Sequence, residues 1–147
     1  MKDLSTSNSA VIISAQYIKD LSFESPRSPY SLITQEQPSI DISLDINAQT
    51  IHEGTFEVVL SIRADATSKD EPVFIIDLHY AGLFSIENED QIADKEIALL
   101  VHCPNILFPY ARRIISDTVR DGGYPPLMLA PIDFMGLYQQ KKNQLAE

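Results

Sequence analysis

Residues 39–86 read SIDISLDINAQTIHEGTFEVVLSIRADATSKDEPVFIIDLHYAGLFSI, and the periodicity of this stretch decides the fold. Side chains alternate across a β-strand, so residues two apart share a face. Ile40, Ile42, Leu44 and Ile46 fall on one face of the first segment; Asp41, Ser43, Asp45 and Asn47 fall on the other. AQTIHEGT turns the chain. Phe56, Val58, Leu60 and Ile62 then rebuild the apolar face, with Glu57, Ser61, Arg63 and Asp65 opposite as a solvated one. TSKDEP turns it again. Val73 to Ile86 is apolar at most positions of both faces, the pattern of a strand covered on both sides.

A fourth strand precedes these three. From Ala10 the chain alternates, with Val11, Ile13, Ala15 and Tyr17 on one face and Ile12, Ser14, Gln16 and Ile18 on the other, and KDLSFESP extends it to Pro26. Residues 25–39 carry Pro26, Pro29 and Pro38 without any period, and predict a long, proline-stiffened crossover. Loops of more than about a dozen residues inside a domain are usually functional or disordered. Strands follow one another without alternating helices, which argues against a parallel βαβ sheet.

After residue 90 the period lengthens. QIADKEIALLV predicts a short helix, and CPNILFPYARRIISD, residues 103–117, opens a longer one. Leu107, Tyr110, Ala111, Ile114, Ile115 and Thr118 form one helical stripe, and Arg112, Arg113, Asp117 and Arg120 lie off it. Pro104 and Asn105 mark the start, Pro109 is expected in the first turn, and Gly122-Gly123 marks the stop. Pro125, Pro126 and Pro131 keep the next segment irregular, and Asp133 is placed to cap a last helix from Phe134. Residues 1–9 and about 140–147 are expected to be flexible ends of one domain spanning 1–147.

The totals narrow the function. A chain of 147 residues with 44% apolar composition suits one globular domain. A net charge of −10 argues against nucleic-acid binding, which relies on lysine and arginine contacts to phosphate. No apolar run approaches the ~20 residues of a membrane span, and the first residues lack a signal-peptide pattern, so a cytoplasmic protein with no membrane insertion is expected. Cys103 is the one cysteine and reads as a small buried hydrophobe. His52, His79 and His102 share no metal-ligand spacing, and no nucleophile elbow, P-loop or dinucleotide fingerprint is present. Nothing here predicts an enzyme, a metal or a cofactor.

YIKDLSFESP, FEVVL, AGLFSI, CPNILFPYAR and LAPIDF, in this order and spacing, resemble the SecB family of protein-export chaperones from about Ile12 to Tyr138. The resemblance implies an α+β fold: a four-stranded antiparallel sheet with a long crossover between the first two strands, then a long helix and a C-terminal helix. It also implies a homotetramer, a dimer of dimers with the main helix between dimers, where Arg112, Arg113, Asp117 and Arg120 would meet the partner. Unfolded preproteins would lie in hydrophobic grooves, here assigned to Tyr30, Leu32, Ile40, Ile42 and Leu44. The SecA ATPase would dock on Asp20, Glu24, Ile75 and Asp77, where the family typically has glutamate at the last position. Such a holdase needs no ATP of its own. Two departures stand out: many relatives carry a tryptophan beside the crossover proline and a longer acidic tail, and this chain has neither. The fold also serves chaperones of toxin–antitoxin pairs, and an α+β ligand-binding domain or hot-dog-like enzyme is the alternative outside the family.

Overall fold

The three-strand run closes into a meander whose partners stay in register almost to the turns. The computed structural model describes residues 11–34, 37–87 and 92–146. It contains β1 (Val11–Glu24), a single turn α1 (Tyr30–Ile33), β2 (Ser39–His52), β3 (Thr55–Ser68) and β4 (Glu71–Ile86). Helices α2 (Ile92–Ile97), α3 (Cys103–Asp121) and α4 (Phe134–Ala146) follow. The sheet is antiparallel throughout in the order β1-β4-β3-β2, so the crossover carries the chain from one edge of the sheet to the other. The residues expected to be loose at the C-terminus continue α4 as far as Ala146. Residues 1–9, expected to be flexible, and the crossover positions 35–36 lie outside the described residues.

The middle of one sheet face, on β3 and β4, is dry. Phe56, Val58, Leu60 and Ile62 of β3 and Phe74, Ile76, Leu78 and Phe84 of β4 are buried beneath Leu107, Ala111, Ile115 and Val119 of α3. The helical stripe differs from the expected one at its margins. Phe108 and Val119 are buried, whereas Tyr110 is 46% exposed and stacks at its edge on Tyr80, with ring centroids 6.3 Å apart. Gly82 sits under this packing because a side chain there would collide: a Cβ would lie 2.7 Å from the ring of Phe84 and 3.1 Å from Leu107.

β1 departs from simple alternation. Its register against β4 shifts between Ile13 and Ala15 and again between Ile18 and Asp20. Each β-bulge inserts one unpaired residue and reverses which parity faces the core. Ile13, Ile18, Leu21 and Phe23 therefore share the helix side, while Ala15, Tyr17, Asp20, Ser22 and Glu24 share the other. α3 does not reach across this edge strand, so Ile13, Ile18 and Leu21 remain exposed.

The helical region is more continuous than two separate helices. A π-helical turn, Ala98–His102, joins α2 directly to α3. Pro104 explains it: proline cannot donate to the carbonyl four residues back, and its ring crowds that carbonyl, so the preceding turn widens. Pro109 lies inside α3 rather than in its first turn, at an exposed position. α3 stops at the expected glycines. Gly123 takes a left-handed φ of 97°, its N–H bonds Arg120 O at 2.9 Å, and the N–H of Tyr124 reaches back to Val119 O at 3.3 Å. Asp133 Oδ1 accepts the N–H of Gly136 at 3.0 Å and caps α4 as expected.

Candidate functional site

A second uncovered apolar surface forms a track along the helix side of edge strand β2. At one end lies a cavity of about 660 Å³ between the crossover and the α3–α4 linker, residues 122–133. Leu32 and Ile40 line it, as do Val73, Phe74, Tyr124 and Leu127. Ile42, 49% exposed, comes next along the strand. Leu44 then opens a second cavity of about 280 Å³, closed by Leu100 and by Leu137 and Tyr138 of α4. Four of the five residues assigned to client binding thus fall on one line, because Ile40, Ile42 and Leu44 share a parity and the crossover folds Leu32 back over their start. Tyr30, 73% exposed, stands beside the track and lines neither cavity. Periodicity could not reveal the linker side of the groove. Gly123, Pro125 and Pro126 carry no period, and their approach to the crossover is fixed by the fold alone.

The opposite sheet face carries charge. Asp20 pairs with His79, Ser22 with Asp77 and Glu24 with Ile75 across the β1–β4 ladder. The four residues assigned to the SecA contact therefore lie on one face of two neighbouring strands, and the second bulge brings Asp20 there. The acids are not equivalent. Asp77 meets Arg63 at 3.6 Å and His79 at 3.5 Å, and His79 Nδ1 shares a hydrogen bond of 2.6 Å with Ser61 Oγ. Arg63 itself is held bidentate by Asp65 at 3.0 and 3.1 Å. Asp20, Glu24, Asp41 and Asp45 are exposed on the same face.

Glu57 overturns its expected place on a solvated face. It is 6% exposed, covered by Tyr17 and Lys19 of β1 and by Gln49, its direct partner on β2. The Tyr17 hydroxyl donates to Glu57 Oε2, and Lys19 Nζ and Gln49 Nε2 donate to Oε1 at 2.8 and 2.9 Å. These bonds, from Lys19 above all and then Tyr17, hold the Glu57 carboxyl below its ordinary range. Burial and then the hydrogen bond to that carboxylate push the Tyr17 phenol up to about 12. The lowered group stabilises the fold above its unfolded pKa and loses that contribution as pH falls through the folded value. The raised phenol contributes fully below pH ~10 and loses its contribution as pH rises toward 12. In Glu57→Gln we expect a lower urea midpoint than wild type at pH 7, with the gap closing as pH drops below 4.5. An equal gap at pH 7 and pH 3.5 would refute this role for the carboxylate.

On the exposed side of α3, Asp117 sits between Arg113 at 3.4 Å and Arg120 at 3.6 Å. Arg112 turns the other way, its Nε donating to Leu129 O at 2.7 Å, so it ties α3 to the linker. Cys103 is fully buried at the start of α3, and burial pushes its thiol up to about 12. No group of three metal-ligating side chains occurs among the described residues.

Comparison with known proteins agrees with this architecture. The chain matches the family described as preprotein translocase subunit SecB over residues 5–145. It is 51% identical to the protein-export protein SecB of Parvibaculum lavamentivorans over 130 residues, 88% of this chain and 77% of that one. It is 44% identical to the protein of the same name from Rhodospirillum centenum over 137 residues, 92% of this chain and 82% of that one. Among solved structures, the fold is similar to a SecB-like chaperone of Mycobacterium tuberculosis in complex with an antitoxin peptide. The TM-score there is 0.69 at 18% identity, covering 83% of this chain and 90% of that one. With a family match over nearly its whole length and relatives at half identity, this chain belongs to the SecB family of protein-export chaperones.

Proposed function

We propose that the protein is an ATP-independent holdase of the cytoplasm that keeps unfolded preproteins competent for export and passes them to the SecA ATPase. The observation that carries this reading is the division of labour between the two faces of the sheet, with the track at the β2 edge and the acids at the β1 edge. An apolar track runs from the crossover cavity through Ile42 to the α4 cavity, and an acidic patch at Asp20 and Glu24 lies on the reverse face. Exposed apolar surface without tight polar anchors suits clients recognised by accessibility rather than by sequence. Pairing of client backbone with the free edge of β2 would add affinity that no side chain needs to read. Binding the unfolded state draws the folding equilibrium toward it, and several grooves on one long chain raise avidity through effective concentration.

A homotetramer, a dimer of dimers, would supply those several grooves. Support comes from the exposed Ile13, Ile18 and Leu21 of β1, from Tyr110 beside them through Tyr80, and from the charged row Arg113, Asp117 and Arg120. The expected result is that the purified protein slows refolding of a denatured preprotein with no nucleotide present and has the native mass of four chains. Refolding at its uncatalysed rate in the presence of excess protein would defeat the holdase reading. A monomer at working concentration would defeat the assembly.

A further inference from the structure

The crossover cavity is walled on two sides by segments that are far apart in the chain, and one hydroxyl joins them. Tyr124 Oη lies 2.5 Å from Ser25 Oγ, 2.7 Å from Ser31 Oγ and 3.3 Å from the carbonyl of Val73. A phenol has one proton and two lone pairs. Donating to Val73 O while accepting from both serines uses all three, so the end of β1, the turn α1, the start of β4 and the α3–α4 linker meet at one saturated atom. Ser31 is only 6% exposed, so water does not substitute readily for its bond. The ring is fixed independently: it packs on Phe74 with centroids 5.2 Å apart, and Phe74 packs in turn on Phe23 at 5.9 Å. Gly123, with its left-handed backbone, turns the chain so that Tyr124 faces inward. Beyond this node the described crossover is held by Arg27, through Pro72 O at 3.0 Å and Glu71 at 3.3 Å, and by the local bonds of α1.

We propose that Tyr124 is a positioning residue of the client groove, a hydroxyl latch that holds the crossover against the α3–α4 linker and so fixes the groove in its preformed, open shape. The inference rests on the reading of this groove as the client site and adds a device to it. The cavity is already about 660 Å³ with the latch closed, so the latch does not block entry. It spares the client the cost of ordering the wall, and a preformed wall lengthens residence rather than speeding encounter.

Tyr124→Phe keeps the aromatic packing and deletes the node; the double variant Ser25→Ala, Ser31→Ala deletes it from the other side. In both, amide exchange at Ser31, Leu32 and Thr34, whose N–H groups bond within the crossover, is expected to rise about tenfold, the scale of one or two lost hydrogen bonds. Exchange in β3 is expected to stay unchanged. Release of a reduced, carboxymethylated and hence permanently unfolded polypeptide is expected to quicken by a similar factor in both variants, with association within about twofold of wild type. Unchanged exchange in the crossover in either variant overturns the proposal. Faster exchange with unaltered release overturns it equally, since the latch would then hold a wall that clients do not use. If wild type itself fails to bind the polypeptide, the client-site reading falls instead, and the exchange arm still decides whether the node holds the crossover.

Discussion

Phe84→Ala is expected to destabilise the fold by about 3–5 kcal/mol, the range for truncating a fully buried aromatic. Set against a typical total of about 5–15 kcal/mol, that loss removes a large part of the stability. The size follows from where the ring lies. Phe84 is completely buried, pairs across the sheet with Phe56 and Ile13, and fills the space that Gly82 leaves beneath Leu107. Truncation empties that space at the seam between sheet and α3. Neither wall can collapse into it: the sheet is held by ladders on both sides of β4, and α3 is held by the other residues of its stripe. Urea unfolding of wild type and variant at equal chain concentration measures the difference. A loss under about 1 kcal/mol would mean that the seam rearranges and that the core is looser than its burial implies.

Reversing two charges on the other face should act on binding and leave the fold alone. Asp20→Lys with Glu24→Lys is expected to weaken binding to SecA by about 2–4 kcal/mol, roughly 30- to 1,000-fold, because each site loses an attraction and gains a repulsion. Both side chains are exposed, so folding stability should change little. The holding of an unfolded preprotein should persist, since the track lies through the sheet on the opposite side. The acids should also rank. Asp77 already faces Arg63 and His79, so Asp77→Ala should cost less than Asp20→Ala. Calorimetry or surface binding at two salt concentrations would test this, with the wild-type interaction falling as salt rises. A double variant that binds SecA like wild type would remove the acidic patch from the delivery step.

Much of this architecture can be read in the sequence. Strict alternation in SIDISLDI and alternation broken only at Val59 in residues 56–65 place β2 and β3, and the spacing of Ile75 and Asp77 puts both on one face without any structure. Sequence-order motifs likewise carry the family. What could not be read depends on relations between distant segments. The bulges of β1 are set by how its residues meet β4, so the faces of Ile13 and Ala15, and the arrival of Asp20 beside His79, are invisible to a period-two rule. Glu57 looks like any outward acid on a strand until Tyr17 and Lys19 are folded over it. The linker wall of the groove has no period, and the π-helical turn reports a clash at Pro104 that helical spacing does not show.

The strict parity of β3 and β4 gives the two faces different genetic signatures. Even-numbered positions from Phe56 to Ala66 and from Phe74 to Phe84 point toward the helix, and odd-numbered neighbours point away. Two consecutive codons therefore report on different faces, although Glu57, Val59 and Ala81 are buried on the outward one. Under the proposed assignment, an odd position such as 75 or 77 affects hand-over, while an adjacent even position perturbs the scaffold on which clients rest. A deep mutational scan of these strands should separate into two interleaved phenotypes, loss of hand-over with the fold kept at outward odd positions and loss of the fold at even ones.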